Sequence, residues 1–428
     1  MASKRQIWVK NVPIGGGAPV VVQSMTKTDT SDVDATLEQI GKMVDAGCEL
    51  VRVAVPRDKD AAALEEIVAR SPIPVIADIH FNYTLALKAI TAGAHCIRLN
   101  PGNIGGRDKV AQVVEKATEA GVPMRIGVNS GSLPKHLHEL ERERPVEALV
   151  TAAVEFVELM EALDFENFKV SVKSTNVPNT IAANRLLAQK IDYPLHLGIT
   201  ESGTRWSGSL KSAVGLGALL AEGIGDTIRI SLSTFNAEEE VKVAWEILKA
   251  LELRERGPVL IACPTCGRLQ FDMDTVVAEI ERRLEHYEQP IEVAVLGCAV
   301  NGIGEASHAD FGITGARNEG LIFAHGKPLR KVAQDQLVDE LFAEIDRSLA
   351  AGGVQADEEH AAEAQAWLSR IEAQNAGELT PERIAKLESE GAAAADEVLA
   401  DRDGGTGPTD PSAQPVMVAG RRFKRAGS

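Results

Sequence analysis

Between residues 20 and 232 a short apolar run is followed, eight times over, by a segment of helical length. The runs are 20–23, 50–55, 74–79, 95–99, 123–128, 169–173, 195–199 and 227–232. Several of the intervening segments end in glycine, at Ala46-Gly47, Ala92-Gly93, Ala120-Gly121 and Glu222-Gly223, where a helix can close through a left-handed residue. A further run, 7–12, leads through Gly15-Gly16-Gly17 into 19–23, which predicts a strand before the repeat begins. Eight strand–helix units of this size are expected to close as an α/β TIM (β/α)8 barrel. A doubly wound open sheet is the alternative. No G-x-G-x-x-G follows the first strand, so dinucleotide binding has no support.

The strands repeat a chemistry as well as a pattern. Val51-Arg52-Val53, Ile97-Arg98-Leu99, Met124-Arg125-Ile126 and Ile228-Arg229-Ile230 each set an arginine between apolar neighbours, and Val172-Lys173 ends another run in a lysine. Near the C-terminal ends of barrel strands, where active sites are built, five cations need an anion to face them. Arginine forks match phosphate oxygens, so a phosphorylated or diphosphorylated small molecule is expected. The bland alternative, an internal acid for each cation, would carry a large desolvation cost if it held for all five. Asp78, His80, Asn100, Asn129, Ser171, His196, Thr200, Glu201 and Ser231 fall at the same level. Asp78 and His80, two apart, share a strand face. His196 is equally well read as a satisfied core histidine. Glu201, in Ile199-Thr200-Glu201-Ser202-Gly203, is placed for proton donation beside the anion pocket.

A second chemistry lies further on. Cys263-Pro264-Thr265-Cys266 follows the apolar run 259–262, and Gly297-Cys298-Ala299-Val300-Asn301-Gly302-Ile303-Gly304-Glu305 follows 291–296. Val276, Val277, Ile280, Leu284 and Tyr287 mark a helix between them, whose N-terminus is expected near the sulfurs. Thiolates bind zinc or iron–sulfur clusters. Three cysteines and the glutamate, Cys263, Cys266, Cys298 and Glu305, suit a [4Fe–4S] cluster with one distinct iron better than a structural zinc, which usually takes four Cys or His ligands. Cys48 and Cys96 read as small buried hydrophobes.

Composition limits the partners. A net charge of −17 argues against nucleic acid or a basic membrane patch. Five cysteines, an odd number without disulfide spacing, fit a reducing cytoplasm, as does an N-terminus without a signal-peptide pattern. The expected domains are 1–253, a substrate barrel; 254–353, a cluster domain; and 354–428, an acidic, partly helical to disordered tail, with helical stretches at 357–375 and 381–400, a disordered stretch at 401–415 rich in Gly, Pro, Asp and Thr, and a basic end.

The motifs then converge on one family. Val22-Gln23-Ser24-Met25-Thr26, Ala77-Asp78-Ile79-His80-Phe81, Ile97 through Asn103, Val172-Lys173-Ser174, Gly198 through Gly203, Cys263 through Cys266 and Gly297 through Glu305 occur in the order seen in the bacterial 4-hydroxy-3-methylbut-2-enyl diphosphate synthase family of the non-mevalonate isoprenoid pathway, which the chain strongly resembles over residues 5–350. The resemblance implies a TIM barrel followed by a small α/β cluster domain similar to sulfite and nitrite reductase modules. It implies a [4Fe–4S] cluster on Cys263, Cys266, Cys298 and Glu305. It implies reductive ring opening and dehydration of 2-C-methyl-D-erythritol 2,4-cyclodiphosphate with two electrons from ferredoxin or flavodoxin. It further implies a head-to-tail homodimer in which the cluster domain of one subunit serves the barrel of the other. Arg52, Arg98, Arg125, Lys173 and Arg229 would clamp the diphosphate, oriented by Asn100, Asn129 and Ser231. Glu305 would yield its iron to a substrate oxygen, and Glu201 would supply the proton for loss of water. Ile303 stands where the family commonly has proline, and the tail lies outside the family core. The alternative function is a non-redox, zinc-containing phosphate-binding barrel or lyase.

Overall fold

The computed structural model of the chain describes residues 3–266, 269, 271–297, 308–315, 319–352 and 364. Two compact units divide at Arg256/Gly257. The stretches expected to be helical at 357–375 and 381–400 lie outside the described residues, Ala364 apart.

In the first unit, β1 (Gln6–Val9) and β2 (Val12–Gly15) form an antiparallel hairpin. The single strand expected over 7–12 is broken by a turn at Lys10, which takes a φ of 56°. The barrel follows: β3 (Val21–Met25), β4 (Leu50–Ala54), β5 (Val75–Asp78), β6 (Cys96–Leu99), β7 (Met124–Asn129), β8 (Phe168–Lys173), β9 (His196–Leu197) and β10 (Thr227–Ile228). All pair in parallel, in the order β8-β7-β6-β5-β4-β3-β10-β9. A bridge between Val170 and Leu195 joins the two ends of that order and closes the barrel. β9 and β10 are shorter than the runs 195–199 and 227–232. Beyond Leu197 comes Gly198, whose backbone is crowded by the Arg229 carbonyl and the Lys173 side chain, and the ladder gives way to single hydrogen bonds such as Ser233 N to Gly203 O.

The alternation of each strand sorts its side chains. Val51, Val53, Ala77, Ile97, Leu99, Ile126, Val170 and Val172 face out and bury against the surrounding helices, for example Asp58–Arg70, Arg107–Ala120 and Pro145–Glu161. The helix-ending glycines 47, 93, 121 and 223 all take positive φ. At the strands' N-terminal ends the inward positions are apolar: Val21, Leu50, Ile76 and Cys96 pack on Ile7, Val9 and Ile14 of the hairpin, which plugs that end. Most of the charged inward positions lie nearer the other end, while Thr227 and His196 stand level with Val21 and Gln23 level with Leu50.

The second unit is a five-stranded sheet in the order β11 (Val259–Ala262), β12 (Glu292–Leu296), β13 (Phe311–Gly315), β14 (Glu319–Ala324), β15 (Lys327–Ala333). The first three strands are parallel and the last two add antiparallel. Helices Met273–Leu284 and Leu337–Ala351 cover one face through Ile280, Leu284, Leu341, Phe342 and Ile345, packed on Val293, Val295, Ile313 and Ile322. Among the described residues no helix is long and apolar enough to cross a membrane.

Candidate active site

Asp78, Arg98, Arg125 and Lys169 are register partners on four adjacent strands, β5 to β8. One row of the barrel wall thus carries an acid followed by three cations, all buried. Asp78 accepts from Arg98 Nη1 at 3.0 Å and lies 3.4 Å from both Arg52 Nε and His80 Nε2. Burial alone would raise its pKa; Arg52, His80 and Arg98 outweigh that and hold the carboxyl well below the usual range. β5 ends at Asp78, so His80 does not share a strand face with it as the spacing suggested; it reaches the carboxylate from the exposed loop beyond.

The other cations are oriented mostly by neutral acceptors. Arg52 also donates from Nε and Nη2 to Met25 Sδ at 3.2 and 2.9 Å. Arg125 donates from Nε and Nη2 to Ser171 Oγ at 3.1 and 2.8 Å. Lys173 Nζ lies 3.3 Å from His196 Nε2. Arg229 is 3.9 Å from Glu240, a buried carboxylate on helix Ala237–Ala250 that also accepts from Ser24 Oγ, Lys27 Nζ and the Leu232 amide. Among the described residues, Asp78 and Glu240 are the two carboxylates at ion-pair distance from this set. Arg98 Nε, Arg125 Nη1, Arg229 Nε and Lys169 Nζ are buried donors without an acceptor among the described residues.

Electrostatics follow from that imbalance. Burial, with Arg52 and Arg98 adding to it, lowers Arg125 well below its ordinary value. Lys173 is lowered well below its own by burial and by Arg125, Arg229 and Arg52. Burial pulls Lys169 down to about 8 and Arg52 to about 9. Cations that disfavour one another's charge this strongly form a site that a bound polyanion would relieve. Space is made for them by two glycines. A Cβ on Gly127 would stand 3.1 Å from Arg98 Nε, and one on Gly198 would stand 2.4 Å from Lys173 Nζ.

The remaining sequence candidates ring this centre. Asn100 donates to Ser132 Oγ at 3.0 Å, and Asn129 ends β7. The Thr200 amide donates to the Ser174 carbonyl, and the Ser231 carbonyl accepts from Ser202 Oγ. Glu201 is exposed on the loop after β9 with a φ of 51°, a conformation that L residues adopt at a cost. Sequence reasoning missed Lys169, although Lys169, Ser171 and Lys173 share its period-two signal. It also missed Met25, Glu240 and Thr227 as parts of the site.

In the second unit β11 and β12 run parallel, so the segments leaving their C-terminal ends emerge side by side. The Cys263 amide donates to the Val295 carbonyl at 3.1 Å, and the Gly297 amide donates to Cys263 Sγ at 3.0 Å. Cys263 is half-buried and Cys266 is exposed. The expected help from the helix N-terminus is otherwise arranged. Asp272 caps helix Met273–Leu284 by accepting from the Thr275 amide, and the sulfur takes its donor from Gly297. The amide fixes the direction of the sulfur, and thiolate sulfur is the ligand that soft metals prefer. Cys48 and Cys96, by contrast, are buried in the barrel with thiols pushed up to about 12 and about 11 by burial. The donor set that is described therefore fits a thiolate-held metal centre. Cys298 and Glu305 lie outside the described residues.

Fold and site together define a TIM-barrel protein with a cation-lined interior, joined to an α/β domain that presents cysteines at its strand ends. The chain belongs to the GcpE family: residues 4–245 match the GcpE TIM-barrel domain and residues 259–347 the GcpE protein C-terminal domain. A Geobacter sulfurreducens protein named 4-hydroxy-3-methylbut-2-en-1-yl diphosphate synthase (flavodoxin) is 55% identical, over 82% of this chain and 99% of its own. Relatives of the same name from Pseudomonas putida and Aquifex aeolicus are 54% and 51% identical, each over 82% of this chain, and over 95% and 98% of their own.

Proposed function

We infer that the chain is an iron–sulfur oxidoreductase of isoprenoid biosynthesis, converting 2-C-methyl-D-erythritol 2,4-cyclodiphosphate to 4-hydroxy-3-methylbut-2-enyl diphosphate with flavodoxin as electron donor. Family membership sets aside the non-redox zinc reading. The observation that carries the assignment to residues is the buried and half-buried cation set, Arg52, Arg98, Arg125, Lys173 and Arg229, aligned in part by acceptors that leave its charge intact.

These cations bind the diphosphate. Opening the ring breaks a carbon–oxygen bond and leaves its electrons on a diphosphate oxygen, which gains negative charge. A clamp of fixed cations stabilises that product-like charge more than the cyclic ground state, and this is how binding becomes rate. Asn100, Asn129, Thr200, Ser171 and Ser231 orient the substrate. Asp78 and His80 take its hydroxyl side. Glu201, on the strained loop after β9, gives the proton with which hydroxide leaves as water.

Cys263, Cys266, Cys298 and Glu305 would hold a [4Fe–4S] cluster. Such a centre supplies single electrons and a Lewis-acidic iron. The protein acts in the cytoplasm as the head-to-tail homodimer that the resemblance implies, and sedimentation of the full chain tests that arrangement. Anaerobically purified protein should contain iron and sulfide, absorb as an iron–sulfur protein and turn over the cyclic diphosphate with reduced flavodoxin. Zinc without iron, or no turnover by iron-replete protein, overturns the assignment.

A further inference from the structure

His196 reads from the sequence as either a ligand contact or a core histidine. Its surroundings define a third role. It is fully buried on β9, with both ring nitrogens engaged: Nε2 lies 3.3 Å from Lys173 Nζ and Nδ1 lies 2.6 Å from Thr227 Oγ1. Thr227, also fully buried, is the register partner of His196 on β10, so the two inward side chains stand next to each other. An ammonium has three donors and no acceptor. For Lys173 to be charged, His196 Nε2 must accept from it. The ring proton then resides on Nδ1 and is donated to Thr227 Oγ1. Burial, together with Arg125 and Lys173, lowers His196 well below its ordinary pKa, which is consistent with a neutral ring.

Lys173 needs such a tether. Arg125, Arg229, Arg52 and Arg98 all repel its charge, and its ammonium sits where a side chain at Gly198 would stand, so that no Cβ holds it on that side. A carboxylate would hold it more tightly but would cancel the charge the ligand must meet. A neutral imidazole with one lone pair fixed toward Lys173 holds the ammonium and leaves its charge in place. Thr227 fixes that lone pair by taking the proton on the far nitrogen.

We propose that Thr227 and His196 are positioning residues that hold the Lys173 ammonium toward the diphosphate without neutralising it, and that His196 does not itself touch substrate. The proposal rests on the functional reading above. It also makes the tautomer of His196 a reporter of the charge on Lys173, because an uncharged amine would permit the opposite tautomer.

The test uses the full chain with nitrogen-15-labelled histidine, without ligand, together with calorimetric titration of the cyclic diphosphate into wild type, Thr227→Val and Thr227→Ser. Expected are a protonated Nδ1 and a bare, pyridine-type Nε2 in wild type. Thr227→Val, near-isosteric, should lose that preference and bind about tenfold more weakly. Thr227→Ser should restore both. In turnover the loss should fall on KM rather than kcat. A wild-type ring protonated at Nε2, or Thr227→Val binding as wild type does, overturns the proposal even if the substrate binds. Wild-type protein with the expected tautomer and no affinity for the cyclic diphosphate overturns the functional reading, and the positioning role with it.

Discussion

Replacing Lys169 by methionine should make the protein more stable and a poorer anion binder. Lys169 Nζ is buried without an acceptor among the described residues, and its register partner is Arg125. Held at about 8 instead of 10.5, chiefly by burial with Arg125 adding to it, its charge costs about 3 kcal/mol of folding stability at neutral pH, at about 1.4 kcal/mol for each pH step. The sign is fixed by which state keeps the proton. Below about pH 8 both the folded and unfolded chains are charged at this site and the penalty is complete. Between about 8 and 10.5 the unfolded chain holds the proton and the folded chain does not, so the penalty fades as pH rises. Lys169→Met removes the charge and keeps the length of the side chain. Its expected gain at pH 7 is about 1–3 kcal/mol, in line with apolar replacement of buried charge. Urea denaturation at pH 7 and pH 9.5, followed by tryptophan fluorescence that includes the buried barrel residue Trp245, measures both terms. The advantage of the variant should shrink at the higher pH. Binding of the cyclic diphosphate should weaken, since one of the cations behind Arg125 has gone. A variant less stable than wild type at pH 7, or an advantage that does not change with pH, refutes the reasoning.

Two other substitutions probe different parts of the site. Gly198→Ala should cost about 1–3 kcal/mol and weaken anion binding, because the new methyl stands 2.8 Å from the Arg229 carbonyl, which cannot move as the Lys173 ammonium can; melting and calorimetric titration at wild-type values would remove the close-approach argument. Glu201→Gln should keep the absorption of the iron–sulfur centre while turnover falls about a hundredfold or more; undiminished turnover would exclude Glu201 as the proton donor.

Much of the barrel was legible because its signals are local. Strand, helix and terminating glycine recur with little interference, and an arginine flanked by apolar residues in a strand must point to one face. Parts of the site were hidden because their meaning is not local. Glu240 sits in the first turn of its helix beside Glu238 and Glu239, where acids ordinarily complement the helix dipole. Only the closed barrel brings it to Ser24 and Arg229. Thr227 is one more β-branched residue in a strand until the register sets it beside His196. Met25 is visible in the sequence as part of a motif, but that its sulfur accepts from Arg52 depends on the β3–β4 pairing. The hairpin was misread because Lys10-Asn11 is a weak turn signal next to three consecutive glycines. Lys169 needed no structure at all: it is two residues from Ser171, which is two from Lys173.

The choice of acceptors explains how such a barrel can both fold and bind. Among the described residues, the buried or half-buried cations Arg52, Arg98, Arg125, Lys169, Lys173 and Arg229 meet only Asp78 and Glu240 at ion-pair distance, and Glu240 is shared with Lys27, so the cations outnumber the acids. Six carboxylates would neutralise the wall and leave nothing for a diphosphate to find. No carboxylates would leave repulsion that the fold would have to absorb alone, since each uncompensated buried charge costs several kcal/mol. Met25, Ser171 and His196 occupy the middle ground: each orients a cation through a lone pair and adds no charge. The repulsion that remains is borne by the layer between strands and helices and by the hairpin-sealed floor, which are built chiefly of apolar side chains. The acidic exterior has the opposite sign, but charges farther apart than about 8 Å are largely screened at physiological salt. An anion that reaches the mouth therefore responds chiefly to the interior, where the low dielectric strengthens every contact. Affinity in such a site depends on how well the ligand's charges coincide with fixed donors, which is why the residues that only aim the cations matter as much as the cations themselves.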